Sequence, residues 1–261
     1  MLLVAVVLGV VEGITEFLPI SSTGHLILAG TVLKFEGKRA ETFQIFIQLG
    51  AILAVVWEFR ARLGRIVKGA VRGDGSREFG MKIVMAFVPV AVVGLGVHDY
   101  VTEHFFNPVS VSLALIVGAV LIFVVERFHP AARTHSAEAV SWAQALAIGA
   151  AQCLSLWPGF SRSAATILGG LSAGLDRRAA VEFSFFLAIP TMFAATTYDL
   201  AKNWHHLESG DFLWLSVAFG LSFVVAWGSI RWLLRYVSSH SFRIFAWYRL
   251  ILGAAVLLLA R

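Results

Sequence analysis

Two acidic residues lie inside an apolar run near the start of the chain. Glu12 and Glu16 are four residues apart in the stretch EGITEFLPISSTGHLIL (12–28), so on a helix both carboxylates share one face. Carboxylate oxygens are ligands that Mg²⁺ and Ca²⁺ prefer. The pair therefore predicts a divalent-cation site, and a purely structural ion pair is the alternative.

Polar side chains of a different kind follow Pro19. Because Pro19 lacks an N–H and clashes with the preceding turn, the first helix should break there. Ser21 or Ser22 can cap a second helix through its side-chain oxygen, with Thr23 and His25 in the first turn. A helix start offers unpaired N–H groups and partial positive charge, which suit a phosphate. Acids before this first break and hydroxyls after it predict metal-assisted phosphate chemistry.

A second break carries an arginine instead of acids. The stretch PGFSRSAAT (158–166) contains Ser161, Arg162 and Ser163. A guanidinium presents fixed donors that can hold phosphate oxygens in a bidentate manner. The alternative is that Arg162 only neutralises the two glutamates. Each serine alone is a weak signal, because hydroxyls in membrane helices often bond to their own backbone.

The composition places this chemistry in a membrane. Of the 261 residues, 58% are hydrophobic and 14% are charged, whereas about a quarter of an ordinary soluble domain is charged. We predict an all-α polytopic membrane protein with a single membrane domain. Basic residues fall between apolar segments, where membrane topology explains them, so the pI of 9.7 does not indicate a nucleic-acid partner. Charges within a membrane segment cost about 2.5–3.5 kcal/mol each on insertion scales, which favours a function for the two glutamates.

The chain also contains an internal repeat. The segment 143–170 overlays the opening stretch at a constant offset, which aligns Gly9 with Gly149 and Ser21 with Ser161. Three apolar spans follow each copy: 43–58, 82–98 and 109–126, and then 182–198, 212–230 and 243–260. The predicted organisation is repeat 1 (1–126), a linker (127–142) and repeat 2 (143–261), each repeat being a re-entrant helical hairpin plus three transmembrane helices.

An odd number of crossings per repeat inverts the second half relative to the first. Inverted repeats of this kind place their site near the membrane midplane, where the broken helices meet. The charge distribution gives the orientation: the arginine-rich segments 59–80, 127–141, 171–181 and 231–242 are predicted to be cytoplasmic, and the acid-bearing loops 99–108 and 199–211 external. The first hairpin then enters from outside. Loop 31–41, with Lys34, Lys38 and Arg39, fits an external position poorly.

Both breaks resemble the motifs of a known family. EGITEFLPISSTGHL and PGFSRSAAT are similar to the two signature motifs of the bacterial undecaprenyl-pyrophosphate phosphatases, also called bacitracin-resistance proteins. The FxIxxQLGxxLAV run at 43–55 and the spacing of the spans extend the resemblance over nearly the whole chain. One departure is Ala164, where the family usually has glycine; we expect this methyl group to have little effect.

The resemblance implies an activity and a location. It implies hydrolysis of undecaprenyl diphosphate to undecaprenyl phosphate and inorganic phosphate, with a divalent cation (Mg²⁺ or Ca²⁺), in the bacterial inner (plasma) membrane. This reaction recycles the lipid carrier for peptidoglycan synthesis and confers bacitracin resistance. The site is expected to open to the periplasm. The oligomeric state is left open, with a homodimer as one option.

The motifs and the resemblance together assign the predicted site. The predicted catalytic residues are Ser22, His25, Arg162 and Glu16; the predicted substrate-binding residues are Ser21, Thr23, Ser161, Ser163 and Gln48; and the predicted metal ligands are Glu12 and Glu16. Ser22 is either a nucleophile or a positioning hydroxyl, and His25 either its base or the acid for the leaving group. The sequence leaves open a phosphoserine intermediate or direct attack by water.

A transporter or flippase of a phospholipid carrier or an anion is the competing class of function. Inverted repeats with helices broken at membrane depth are typical of transporters. The two classes differ in chemistry, because a pure transporter has no need of metal-dependent phosphate release in detergent.

Overall fold

The fold is helical throughout the part of the chain that the structure describes. A computed structural model describes residues 1–72, 75–203, 205 and 209–259. Within these ranges the only bridge of the β type is an isolated one between Thr134 and Leu175. The α-helices are α1 (Leu2–Thr15), α2 (Ser22–Leu33), α3 (Lys38–Glu58), α4 (Arg60–Arg72), α5 (Gly75–His104), α6 (Pro108–Phe128), α7 (Trp142–Gln152), α8 (Arg162–Ser172), α9 (Arg177–Asn203), α10 (Phe212–Tyr236) and α11 (Arg243–Leu259).

Five of the described helices are long and apolar enough to cross a membrane, namely α3, α5 from Ser76 onward, α6, α9 and α10. Each contains one of the first five predicted spans, so the prediction of an all-α, multi-pass membrane protein is confirmed. The sixth predicted span, 243–260, coincides with α11, whose described part has 17 residues. Residue 260, the last of that span, and residue 261, the last of repeat 2, lie outside the described residues.

Parts of several predicted loops are helical instead. Residues 59–80 contain all of α4 and the start of α5. This segment has no proline, and its apolar residues Leu63 and Ile66 pack against the core while Arg65 and Lys68 stay exposed, which is the pattern of an amphipathic surface helix. The prediction of a loop at 99–108 is wrong for residues 99–104, because α5 continues to His104. The predicted external loop 199–211 is wrong over residues 199–203, which belong to α9, and residues 209–211 form a 3₁₀ turn; residues 204 and 206–208 lie outside the described residues.

Two pairs of short helices, α1 with α2 and α7 with α8, are each separated by a segment that is not α-helical, called a break. The first break spans residues 16–21, between α1 and α2, and the second spans 153–161, between α7 and α8. Each break ends in a serine with positive φ, +70° at Ser21 and +78° at Ser161, a conformation that non-glycine residues rarely adopt. Each serine is the N-cap of the following helix: Ser21 Oγ accepts from Gly24 N (3.5 Å) and Ser161 Oγ from Ala164 N (3.2 Å). The cap therefore falls on Ser21, and the N-cap bond offsets the backbone strain.

The short helices pack on spans from the opposite half of the chain. Helix α1 packs against α10, and α7 packs against α5. Glycines make these contacts close: a Cβ atom at Gly9 would lie 2.5 Å from the carbonyl oxygen of Ala218, and one at Gly149 would lie 2.3 Å from that of Ala86. Small residues at such crossings let helix backbones approach in a membrane. Helices α10 and α5 thus hold the two breaks in the interior of the protein.

The crossing at Gly149 should be sensitive to a single methyl group. We expect Gly149→Ala to lower the free energy of unfolding by about 1–3 kcal/mol, the usual effect of overpacking. Gly228→Ala on α10 is the control, because a Cβ atom at Gly228 would have no neighbour within 4 Å. The measurement is thermal denaturation of both variants in the same detergent, and equal midpoints would contradict the prediction.

Candidate active site

The two breaks lie against each other. Ser163 at the start of α8 donates a hydrogen bond to the Leu18 carbonyl oxygen in the first break (2.9 Å). Arg162 Nη2 donates to Glu16 Oε1 (3.2 Å), which is an ion pair between residues 146 positions apart. The structure therefore brings the acids of one half together with the arginine of the other, as the two motifs predict.

Glu16 is the centre of this contact. Its second oxygen, Oε2, accepts a hydrogen bond of 2.6 Å from Ser22 Oγ, which is the short distance of a hydroxyl bonded to a carboxylate. Glu16 is buried, with 7% of its surface exposed. One carboxylate thus links the guanidinium of Arg162 to the hydroxyl of Ser22.

Glu12 lies one turn earlier on α1 and is left unsatisfied. It is 1% exposed, and neither oxygen accepts a hydrogen bond from a donor group among the described residues. It lies beside the carboxyl group of Glu16, with which it can form a hydrogen bond only when one of the two is protonated. It interacts electrostatically with Glu16 and Arg162. A buried polar group without a partner costs about 1–3 kcal/mol, and more when charged. Folding therefore leaves a carboxylate that is suited to a ligand.

The donor set of Glu12 and Glu16 fits a divalent cation. In the described ranges no group of three or more His, Cys, Asp or Glu side chains is placed to hold a metal. An ion here would have two protein carboxylates and would complete its shell with water and substrate oxygens. This is how Mg²⁺ is usually held beside phosphate groups, so the residues present fit the predicted cation, and Glu12 has both of its oxygens free for one.

Arg162 is held by three partners and keeps part of its donor capacity. Besides Glu16, its guanidinium donates to the Ser184 carbonyl oxygen (3.4 Å) and to Met192 Sδ (3.1 Å), and it lies 5.5 Å from the centre of the Phe17 ring. The Nε–H of Arg162 is buried and has no partner within the described part of the chain. A planar guanidinium with an unused N–H is suited to an incoming phosphate oxygen.

His25 is bonded through both ring nitrogens. Nδ1 donates to the Ser21 carbonyl oxygen (2.7 Å), and Nε2 lies 2.7 Å from the Tyr248 hydroxyl on α11, whose ring stacks on the imidazole with centroids 5.5 Å apart. Because a carbonyl can only accept, Nδ1 carries the proton, and in the neutral ring Nε2 accepts from Tyr248. The hydrogen bond of Ser22 goes to Glu16 and not to His25, so the role of His25 as base or acid stays a prediction.

The remaining predicted residues divide into two groups. Ser161 and Ser163 are joined to each other by a hydrogen bond (3.0 Å), and Ala164, the departure from the family motif, is fully buried beside them. Thr23 and Gln48 are half-buried on α2 and α3. In the described residues, no hydrogen bond connects either of them to Glu16, Ser22 or Arg162, so their substrate-binding roles stay predictions.

Sequence reasoning missed two residues of α11 that reach this region. Tyr248 contacts His25 from 223 positions away, and no local pattern could have indicated that pairing. Arg249 is completely buried and donates to backbone carbonyls of both breaks, at Pro19 and Gly159. Its signal was available, because an arginine inside an apolar span demands a partner in the membrane interior.

The fold and the site define an integral, multi-pass, all-helical membrane protein with a buried carboxylate–arginine–hydroxyl cluster between two helix breaks. The chain belongs to the bacitracin resistance protein BacA family, whose model matches residues 5–255.

Relatives match over nearly the full length. The chain is 48% identical over 253 residues to the undecaprenyl-diphosphatase of Ectopseudomonas mendocina, with 97% of this chain and 92% of the relative covered. It is 49% identical over 257 residues to the undecaprenyl-diphosphatase of Dechloromonas aromatica, covering 98% and 94%. It is 50% identical over 258 residues to the undecaprenyl-diphosphatase 1 of Chromobacterium violaceum, covering 98% and 96%.

Proposed function

We propose that this protein is a membrane phosphatase that hydrolyses undecaprenyl diphosphate to undecaprenyl phosphate and inorganic phosphate. The reaction recycles the lipid carrier for peptidoglycan synthesis and confers bacitracin resistance. The observation that carries the proposal is Glu16, which joins Arg162 of one break to Ser22 of the other. The chain that holds this arrangement is 50% identical to a protein named undecaprenyl-diphosphatase 1.

The roles of the residues follow from their contacts. Arg162 binds oxygens of the terminal phosphate and stabilises the charge that develops there, which is the main task in phosphoryl transfer. Ser22 lies beside it with its proton directed at Glu16. If Ser22 is the nucleophile, Oγ bonds to the terminal phosphorus, its proton passes to Glu16 and undecaprenyl phosphate leaves; water then cleaves the phosphoserine. If water attacks directly, Ser22 positions the phosphate.

Glu12 and Glu16 would hold the divalent cation, Mg²⁺ or Ca²⁺. When bound, such a cation neutralises negative charge on the phosphate oxygens. Support comes from Glu12, whose two buried oxygens have no partner in the described part of the molecule. An ion pair that only neutralised charge would account for Glu16 and Arg162, but it would leave this second acid unexplained.

Ser22 provides the test between the two routes of attack. We expect Ser22→Ala to lower kcat by about 10²–10⁴-fold if Ser22 is the nucleophile or the group that transfers a proton. Rapid quench of the unaltered protein with substrate labelled on the terminal phosphate separates these cases. Label trapped on Ser22 would exclude direct attack by water. If no label is found on Ser22 at any quench time, Ser22 only positions the phosphate. Ser216→Ala is the control, because Ser216 on α10 is exposed and bonds only to its own helix.

The architecture proposed for this function is an inverted repeat with a re-entrant hairpin in each half. Three features support it. If each helix is replaced by its counterpart in the other repeat, the observed contacts correspond. The contact of α1 with α10 becomes that of α7 with α5, and the contact of α2 with α11 becomes that of α8 with α6. Ser21 and Ser161 have the same cap and nearly the same φ. Gly9 and Gly149 both lie at close crossings. Domain boundaries at 1–126 and 143–261, with 127–142 as linker, follow from this repeat.

The proposed location is the inner membrane, with the site opening to the periplasm. Arg65 and Lys68 on α4 are exposed on the side predicted to be cytoplasmic. The prediction of an external loop at 31–41 is wrong outside residues 34–37, because α2 continues to Leu33 and α3 begins at Lys38. Two of its basic residues are paired: Arg39 with the buried Asp211, and Lys38 with Glu41 (3.0 Å).

The test of this function is phosphate release by the purified protein in detergent. Undecaprenyl diphosphate is supplied with Mg²⁺, with Ca²⁺ or with EDTA. We expect turnover with metal and none with EDTA. Absence of turnover under every metal condition, in protein that elutes as one folded species, would overturn the phosphatase and favour the transporter, for which lipid flipping in liposomes is the next assay.

A further inference from the structure

Arg249 is the largest side chain that is fully buried in the described part of the chain. It lies on α11, whose neighbours are α6 and α2. No carboxylate in the described ranges forms an ion pair with it. A charged residue at such a depth is costly unless it is paired with other groups, and backbone carbonyls are one kind of partner.

The guanidinium is surrounded by backbone carbonyl oxygens. Nη1 donates to Pro19 O in the first break (3.3 Å), and Nη2 donates to Gly159 O in the second break (3.4 Å). Nε and Nη2 also donate to α6, at Leu115 O (3.2 Å) and Ala114 O (3.1 Å). Four hydrogen bonds from one planar group therefore join three parts of the chain.

Helix α6 has a space for this group. A Cβ atom at Gly118 would lie 2.0 Å from Nη2 and 2.7 Å from Cζ of Arg249, so only glycine leaves room for the guanidinium there. The opposite side is closed by the ring of Phe160, whose centre lies 5.8 Å from Cζ. The position of the group is thus set by packing as well as by hydrogen bonds.

We propose that Arg249 is a positioning residue that holds the two breaks at a fixed separation. Pro19 precedes Ser22 by three residues, and Gly159 precedes Arg162 by three residues, so the carbonyls that Arg249 binds lie directly before the two groups that meet at Glu16. Resting on the proposed function, the inference assigns Arg249 to the geometry of the phosphate site, without contact with the substrate. A rigid guanidinium can join carbonyls that diverge, whereas the ammonium of lysine offers donors from a single atom.

The experiment changes the position of the guanidinium and its charge separately. Arg249→Lys keeps a charge but loses the planar arrangement of donors, and Gly118→Ala keeps Arg249 but displaces it. We expect both variants to lose about 100-fold in kcat, the size expected when reacting groups shift by about 1 Å, with a smaller change in KM. Gly228→Ala on α10 is the control, because it adds the same methyl group at a position where a Cβ atom would have no neighbour within 4 Å.

A second readout measures the separation of the breaks without catalysis. In a Cys153→Ala background, Leu18→Cys and Ser163→Cys place one thiol on each side of the contact between the breaks. Because both positions are buried, with Leu18 8% and Ser163 0% exposed, the small apolar oxidant iodine is used to join the two thiols directly as a disulfide. This crosslink should form less readily when Arg249→Lys or Gly118→Ala is added. Only protein that elutes as a single folded species is compared.

Each outcome has one meaning. Unchanged crosslinking in both variants overturns the positioning role. Normal kcat in both Arg249→Lys and Gly118→Ala also overturns it, since neither the planar donors nor their position would then matter. If the unaltered protein releases no phosphate but crosslinking falls in the variants, the proposed function fails while the role of Arg249 in holding the breaks stands.

Discussion

Arg162→Lys is expected to lose at least about 10³-fold in kcat, the lower end of what an arginine contributes to a phosphoryl-transfer transition state. Lysine keeps the positive charge near Glu16 but is a compact point charge, so it cannot bind two phosphate oxygens along one planar edge. The Nε–H that is buried and unpartnered in the described structure would also be lost. The measurement is phosphate release at saturating undecaprenyl diphosphate and metal.

The control for Arg162→Lys is Arg177→Lys. Arg177 forms a bidentate pair with Glu126, through bonds of 3.1 Å and 2.5 Å, away from the helix breaks. The same exchange at Arg177 should reduce thermal stability and leave kcat per folded molecule unchanged. Comparable losses of kcat at both positions would contradict a direct role for Arg162.

The double variant Arg162→Ala with Glu16→Gln separates phosphate binding from charge neutralisation. If Arg162 and Glu16 form only a structural ion pair, removing both charges together would restore the phosphate release that Arg162→Ala alone had lost. If both act on the substrate, Arg162 through the phosphate and Glu16 through the cation, the double variant folds better than Arg162→Ala but stays inactive. Residues in direct contact are expected to couple in this way, and the 3.2 Å ion pair places these two in contact.

Much of the fold was predictable because a membrane imposes strong constraints on sequence. Apolar runs of about 20 residues must be helices, since only helices satisfy their own backbone in lipid. Five predicted spans accordingly fall inside observed helices. Hydropathy cannot detect helices at the membrane surface, which explains the error over residues 59–80. There α4 is basic on its exposed side and apolar only at a few positions such as Leu63 and Ile66.

The candidate site was predictable where the chemistry is local and unpredictable where it depends on distant partners. Glu12 and Glu16 are four residues apart, so their neighbourhood follows from helix geometry. The bond of Ser22 to Glu16 could not be deduced, because the first break, residues 16–21, is not helical. The partners of Tyr248 and Arg249 on α11 depend on packing across more than 200 residues. An arginine inside an apolar span indicates that a partner exists, but no local pattern says which one.

Glu12→Gln is expected to abolish the response to metal and to stabilise the protein without metal. In EDTA the unaltered protein keeps a buried carboxylate with no partner in the described residues, and a neutral amide of the same shape relieves that cost. With metal, the unaltered protein should gain stability by mass action, about 2.7 kcal/mol at 100 times the dissociation constant. Glu12→Gln should lose that gain together with phosphate release.

Glu126→Gln is the control for Glu12→Gln. It should have the opposite effect on stability in EDTA, namely a loss. Glu126 is also a buried carboxylate, but it accepts from Arg177 and from the Phe242 N–H (2.8 Å). Removing the Glu126 charge should destabilise the protein, but by less than the cost of about 3–5 kcal/mol for breaking a fully buried pair, because the remaining Arg177 side chain is 33% exposed and reaches water. Thermal denaturation with EDTA, Mg²⁺ or Ca²⁺ measures both variants. A Glu12→Gln protein that is less stable in EDTA, or that still gains stability from metal, would show that Glu12 has a structural role and that the cation binds elsewhere.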